Sequence, residues 1–202
     1  MKAKIKSVLF VMLFSGLFLH AQDTGLQWHK LFNGADLSGW QVPEPNLWWT
    51  VKDGVLIGKS DPGQKGSILW TKKKYRNFVI QLDFKFGDGT VDSGIFLRTI
   101  NEQIQLGISG KYKRDMTCSP YIGSKGDYPV EAKNIKKLLK PKDWNTVKVK
   151  ADGNRYVVWL NGQQVLDYVS DTAVEEGPIG LQVHPHKPME IEFRNIRVAE
   201  LP

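Results

Sequence analysis

Two stretches hold the side chains best suited to chemistry. In "VDSGIFLRTINEQIQLG" (91–107), Asp92, Arg98, Glu102, Gln103 and Gln105 crowd into one short segment. Further on, "GLQVH" (180–184) adds Gln182 and His184. Guanidinium and carboxamide groups are planar, with donors and acceptors at fixed angles, and they suit a ligand rich in hydroxyls. Histidine can take a proton near neutral pH. Asp92 and Glu102 are nearby carboxylates that could share acid–base work.

These residues are useful only if the backbone points them the same way. The first stretch alternates with period two, as a strand pair joined by a turn would. Ile95, Leu97, Ile104 and Leu106 then face one side, and Asp92, Phe96, Arg98, Gln103 and Gln105 the other. In the same way Leu181 and Val183 oppose Gln182 and His184. In "YVVWLNG" (156–162), core-facing Tyr156, Val158 and Leu160 leave Trp159 pointing outward. Trp48 and Trp49 are adjacent, so one faces in and the other out. Outward aromatic planes beside planar amides suit the apolar faces and hydroxylated rims of sugar rings. The expectation is that Arg98, Gln103, Gln105, Trp159 and His184 converge on one concave face. The plainer alternatives are an Arg98 ion pair with Asp92 or Glu102, solvent-facing glutamines, and a Trp159 covered by a loop or by the helix.

The same periodicity runs through most of the chain. "FVIQLDFKF" (78–86) alternates fully, and "WNTVKVKADGNRYVVWLNGQQVLDYV" (144–169) reads as three strands. Their turns are Asp152-Gly153-Asn154 and Asn161-Gly162, and Asp53-Gly54 marks an earlier hairpin. "GPIGLQVH" (177–184) and "MEIEFRNIRVAEL" (189–201) are the last two strands. The second changes phase between Phe193 and Ile196, which predicts a bulge near Asn195. "VEAKNIKKLLK" (130–140) predicts about three turns of helix ending at Pro141, with Ile135, Leu138 and Leu139 on one stripe. The fold class is therefore all-β: an antiparallel sandwich with one short helix.

The chain has 202 residues and a net charge of +7. Lys2, Lys4 and Lys6 precede an apolar run from Val8 to Leu19, followed by Ala21. This is the pattern of a signal peptide over 1–21, leaving one domain over 22–202. Removing those lysines with no acid lowers the charge to +4. The apolar run is short for a bilayer span. The single cysteine, Cys118, lies far from the cut and offers neither a lipid anchor nor an internal disulfide. The expected location is the periplasm or the exterior, with no stable membrane anchor after signal removal. No groove-reading motif accompanies the basic runs, so nucleic acid is not an expected partner.

Several catalytic patterns are absent. There is no G-x-S-x-G, P-loop or H-E-x-x-H, and no E-x-D-x-x-E segment of the kind found in jelly-roll glucanases. Asp92 and Glu102 differ in phase, which does not favour the facing carboxylate pair of an ordinary glycosidase. His184 and His186 form "HPH", with no acid or cysteine cluster beside them in sequence; this is a weak metal signal. No cofactor is predicted, and a divalent metal is left open.

The segments "LFNGADLSGW" (31–40), "WTVKDGVLIGKS" (49–60), "NFVIQLDFKF" (77–86), "DSGIFLR" (92–98), "GPIGLQVH" (177–184) and "IEFRNIRVAEL" (191–201), with the three-strand region between them, resemble the 3-keto-disaccharide hydrolase family. The resemblance covers nearly all of the chain after the leader. It implies a concanavalin A-like jelly roll, often exported, that cleaves glycosides whose sugar was first oxidised at carbon 3. A ketone there acidifies the hydrogen at carbon 2; a base removes it, the glycosidic oxygen leaves carbon 1, and water adds back. The family's Ser-Gly-Ile-Phe-Leu-Arg segment is intact, which makes Arg98 the group that positions or polarises the keto sugar. The Leu-Gln-x-His segment is intact too, which makes His184 the base. Asp92 stands where asparagine is frequent. Gln103 stands where many members have glutamate, and Glu102 is one residue off, a slip that turns a side chain to the other face. The resulting candidate site has His184, Arg98 and Glu102 as catalytic groups. Asp92, Gln103, Gln105, Trp159, Gln182 and Trp48 would bind an oligosaccharide or glycoside. Two other functions stay open: a carbohydrate-binding module on the same fold without catalysis, and an accessory domain of an envelope complex.

Overall fold

The structure, a computed structural model, describes residues 25–202. The expected signal segment over 1–21 lies outside the described residues. The strands are β1 (His29–Lys30), β2 (Trp40–Gln41), β3 (Trp49–Lys52), β4 (Val55–Lys59), β5 (Ser67–Tyr75), β6 (Phe78–Gly89) and β7 (Asp92–Leu97). They continue as β8 (Glu102–Gly107), β9 (Pro120–Ile122), β10 (Asn145–Asp152), β11 (Arg155–Leu160), β12 (Gln163–Val169), β13 (Gly177–Val183) and β14 (Met189–Glu200). One helix, α1 (Ile135–Leu138), interrupts them.

The strands form two antiparallel sheets. The eight-stranded sheet runs β12-β11-β10-β6-β14-β4-β3, with β1 also on β14. The six-stranded sheet runs β2-β5-β13-β7-β8-β9. They stack as a jelly-roll sandwich with a shared apolar interior. Ile80, Leu82 and Phe84 of β6, Val147 and Val149 of β10, and Phe193 of β14 come from one sheet. Leu69, Ile95, Ile104, Leu106 and Leu181 meet them from the other. Alternate residues of every strand therefore face outward, on two separate outer surfaces.

The turn chemistry follows the sequence. Asp53 and Gly54 both have positive φ (50° and 77°), as do Asn161 and Gly162 (49° and 85°). That is the geometry of tight hairpins whose twist matches the flanking strands. The bulge in β14 falls at Asn195, with φ 52°. There the register with β6 shifts between Arg194 and Arg197, so Phe193 and Ile196 both reach the core.

The helix is much shorter than its expected three turns. Asn134 takes a left-handed conformation, φ 61°. Just before it, the Ala132 amide donates to Ser119 Oγ and the Lys133 amide to the Val165 carbonyl. The first part of the segment is thus tied as an extended strap to neighbouring elements. Ile135, Leu138 and Leu139 still pack against the core. Among the described residues, no helix is long and apolar enough to cross a membrane.

Candidate functional site

The outer face of the six-stranded sheet is organised by register. Gln41 pairs with Trp70, Trp70 with Gly180, Gly180 with Phe96, Phe96 with Gln103, and Gln103 with Tyr121. One outward rung therefore crosses all six strands. Glycines make room in it. A Cβ on Gly180 would lie 2.7 Å from the Trp70 ring, and one on Gly94 would lie 2.0 Å from Gln103 Nε2. Trp70 and Phe96 sit with ring centroids 5.5 Å apart.

Beside the rung lies a cleft of about 410 Å³, lined by Asp92, Gln103, Gln105, Gln182, His184 and Lys187 among others. A chain of hydrogen bonds holds its floor rigid. Lys187 Nζ lies 2.5 Å from Asp92 Oδ2. Gln105 Nε2 donates to Asp92 Oδ1 at 2.8 Å. The Gln103 amide nitrogen faces Gln105 Oε1 at 3.1 Å, Gln182 Oε1 at 3.0 Å and the Ser93 carbonyl at 3.1 Å. The Gln103 carbonyl oxygen and the Gln182 amide nitrogen are not used in this chain and can serve a ligand. Tyr121 and Tyr128 pack in the wall with tilted rings, centroids 5.0 Å apart, and burial pushes the Tyr128 phenol well up from its ordinary range.

His184 stands at the mouth, partly exposed. Its Nδ1 is 2.7 Å from the Pro185 carbonyl oxygen. A carbonyl only accepts, so the proton belongs on Nδ1 and the lone pair on Nε2. Nε2 lies 3.9 Å from Asp92 Oδ2. A second hollow of about 420 Å³ adjoins, sharing Gln103, Gln182 and His184 and adding Ile68, Phe96 and Ile100.

Asp92, Gln103, Gln105, Gln182 and His184 are thus brought together. Four of the sequence candidates are not. Arg98 follows β7 directly but has φ 66°, and this left-handed residue breaks the alternation that would have aimed it at the cleft. Its guanidinium enters the end of the sandwich, donating to the carbonyls of Val174 at 2.5 Å and Gly153 at 2.7 Å. It lies over the rings of Phe78 and Tyr156. Burial pulls its pKa down from the usual arginine value, against the pull of Tyr156, Glu102 and Asp152. Glu102 is on the core side of β8, in register with Ile122 of β9. It is fully buried and accepts from Ser170 Oγ and Thr172 Oγ1. Trp159 does face outward, but from β11 in the other sheet, with Lys148 Nζ 4.7 Å from its ring.

Trp48 is half-buried, and its indole donates to Asp61 Oδ1 at 2.8 Å. Burial works against the Asp61 charge, yet the Trp48 indole and the amides of Lys65 and Gly63 hold its carboxyl below the ordinary range. The loop braced in this way backs the cleft: the Gln64 carbonyl accepts from the His186 amide, and Gly66 abuts Pro185. Trp48 therefore supports the site from behind and does not line it. Trp49 is the inward member of the pair.

Lys187, Trp70, Tyr121 and Tyr128 were missed as site residues. Trp70 was legible: Leu69 is core-facing in "SILWTKKKY", which sends Trp70 outward. Tyr121 sits on the three-residue β9, too short to show a period. Lys187 comes from an irregular turn after β13 and gives no periodic signal. Cys118 is buried and free, and burial pushes its thiol far up, so it offers no nucleophile. Among the described residues, no three His, Cys, Asp or Glu side chains gather to hold a metal.

The 3-keto-alpha-glucoside-1,2-lyase-like domain model matches residues 27–199. The chain belongs to this family. The family assignment thus covers both sheets and every residue of the cleft. A glycosyl hydrolase candidate from Parabacteroides distasonis ATCC 8503 is 26% identical, with 87% of this chain and 100% of that one covered and a TM-score of 0.65. Another from the same organism has a TM-score of 0.68 at 21% identity, over 87% and 94% of the two chains. The carbohydrate-binding module CBM66 from Bacillus subtilis shares the fold at 19% identity, over 79% and 94%, with a TM-score of 0.59. No functionally curated protein matches the chain in sequence.

Proposed function

We propose that this protein is an exported, carbohydrate-active enzyme that cleaves 3-keto-glycosides by elimination followed by hydration. The observation that carries the reading is His184, whose Nδ1 is occupied by the Pro185 carbonyl and whose Nε2 faces Asp92 in a cleft floored by glutamines. Nε2 takes the hydrogen from carbon 2 of the keto sugar. The electron pair moves into an enolate on the carbon 3 oxygen, and Lys187, anchored on Asp92, supplies positive charge beside it. The enolate then expels the glycosidic oxygen from carbon 1, which leaves as an alcohol after taking a proton. Water adds across the resulting double bond to give the 3-keto sugar. Gln103 and Gln182 hold the ring hydroxyls, and the Trp70–Phe96 and Tyr121–Tyr128 pairs offer apolar faces. No step needs Arg98 or Glu102. Export rests on the leader over 1–21, to the periplasm or beyond the cell.

A 3-keto-glycoside with a chromogenic leaving group tests this. Wild type is expected to release the chromophore, and His184→Ala to lose about 10²-fold or more in rate, the usual contribution of a positioned base. Sugar binding by the variant should stay within a few-fold of wild type. Equal rates in the two proteins would remove His184 as the base. A second reading, a binding module without catalysis, draws on Gln103, a neutral amide on the cleft floor. Tight binding of sugars with no release by wild type, with or without added divalent metal, would favour it.

A further inference from the structure

We infer that the second hollow, beside the cleft, is the subsite for the leaving group and that it takes an apolar, ring-bearing aglycone, so that the preferred substrates are glycosides of aromatic alcohols rather than disaccharides. The inference rests on the reading of the cleft as the seat of the sugar ring. The two hollows share a border that includes Gln103, Tyr121, Gln182 and His184. The base takes its hydrogen from carbon 2, and the bond that breaks is on the neighbouring carbon 1. The group leaving carbon 1 therefore starts beside His184, on that border. With the sugar in the cleft, the hollow of about 420 Å³ across the border is the space its aglycone enters.

The hollow's own walls are largely apolar, and the backbone is shaped to make them so. Ile68 of β5 is in register with Gln182 of β13 and faces outward, since its neighbour Leu69 is in the core. A Cβ on Gly180 would lie 2.8 Å from Ile68 Cγ2 and 2.7 Å from the Trp70 ring, so this glycine lets both side chains settle onto β13. Phe96 and Ile100 continue the lining. Ile100 stands in the turn between β7 and β8 and is 60% exposed, although the turn around it is tied down. The Arg98 amide donates to the Pro178 carbonyl, the Glu102 amide to the Thr99 carbonyl, and the Gly123 amide to the Asn101 carbonyl. A Cβ on Gly123 would lie 2.9 Å from Asn101 Oδ1, so that approach too needs a glycine. A fixed turn thus holds an isoleucine in water where it extends the apolar surface of Ile68 and Phe96, and a contiguous exposed patch of this kind marks a binding site.

A second sugar ring suits this hollow poorly. Its hydroxyls would each need a partner once water is displaced. Of the polar side chains beyond the border, Ser67 Oγ already accepts from the Trp49 indole at 2.9 Å, and Lys65 is exposed. On the border, the Gln103 amide nitrogen is taken by Ser93, Gln105 and Gln182. The cleft is the opposite case, lined by Asp92, Gln105, Lys111, Lys113 and Lys187, groups that pair with hydroxyls. An aromatic ring asks for no partners, and its burial against Ile68, Phe96 and Ile100 is favourable in itself. The substrate is read in two halves: a polar sugar by the cleft and an apolar aglycone by the hollow.

Calorimetric titration of His184→Ala, which lacks the base, with the methyl, benzyl and glucosyl 3-keto-α-glucosides tests the inference. Methanol and benzyl alcohol are of similar acidity, so the comparison reads the ring and not the leaving tendency. The benzyl compound is expected to bind about tenfold more tightly than the methyl one, and more tightly than the glucosyl one. Adding Ile100→Ser should cut the benzyl-to-methyl ratio about fivefold, and Ile100→Val in its place should restore most of it. Circular dichroism of each variant establishes that the fold is kept. The inference is overturned if the benzyl compound binds no better than the methyl one, if the glucosyl compound binds better than the benzyl one, or if Ile100→Ser leaves the ratio unchanged. Release of benzyl alcohol by wild type is followed separately. Tight benzyl binding that depends on Ile100, with no release, would count against the catalytic reading and leave the aglycone subsite standing.

Discussion

At the scale of single residues, Gln103 governs the cleft through its donors. Its amide nitrogen faces three oxygens, those of Ser93, Gln105 and Gln182. A carboxylate of the same shape would set negative charge against all three. Gln103→Glu therefore tests whether an acid can occupy this position here. The new carboxyl would be buried without a donor, so its folded pKa would rise above the unfolded value of about 4.3. A raised pKa means the folded state holds the proton longer. The variant should be close to wild type below about pH 4 and lose about 2 kcal/mol by pH 7, as the carboxyl is forced to ionise. Urea midpoints at the two pH values measure this. An unchanged midpoint at pH 7 would mean that Lys187 or another cation moves in to neutralise the acid.

At the scale of elements, the rim of the cleft is held by loops rather than strands. Asp127 gathers them. Its Oδ1 accepts from the Tyr112 hydroxyl at 2.6 Å, the Tyr128 amide at 2.7 Å and Lys111 Nζ at 2.9 Å. The Tyr112 hydroxyl first, and Lys111 next, lower the Asp127 carboxyl from 3.8 to about 2. A lowered folded pKa means the linkage is complete above the unfolded value and is lost as pH falls through the folded one. The rim should hold above about pH 4 and loosen towards pH 2. Near-ultraviolet circular dichroism of the tyrosine cluster should follow this change, and Asp127→Asn should show the loosened signal at neutral pH. A flat wild-type signal down to pH 2 would deny Asp127 this role. Such loops were not legible in the sequence, whereas the strands were. Period-two alternation separates inward from outward residues, and it did so for Gln103, Gln182 and Trp159. It does not say which sheet an outward residue belongs to, so Trp159 was grouped with a cleft on the opposite face. A single left-handed residue also defeats it, as at Arg98, and so does a strap fixed by tertiary hydrogen bonds, as before Asn134.

At the scale of the whole molecule, Arg98 ties the two sheets together. Its backbone follows β7 in one sheet, and its amide donates to the Pro178 carbonyl at the start of β13. Its guanidinium reaches the Gly153 carbonyl in the turn between β10 and β11 of the other sheet. Gly177 leaves room for this path, since a Cβ there would lie 1.8 Å from the Arg98 carbonyl oxygen. Beneath it, the buried Glu102 depends on Ser170 and Thr172 and on the nearby positive charge. Arg98→Met keeps much of the apolar volume and removes that charge and both donors. Stranding two carbonyls and leaving a buried acid uncompensated should cost about 3–5 kcal/mol. For a domain of this size that lowers the melting temperature by roughly 6–20 °C. Binding of sugar in the cleft, measured at a temperature where the variant is folded, should stay within about threefold of wild type, since changes at sites with no shared partners are nearly independent. The opposite pattern, an unchanged melting temperature with lost sugar binding, would mean that Arg98 reaches the ligand and that its role is chemical rather than architectural.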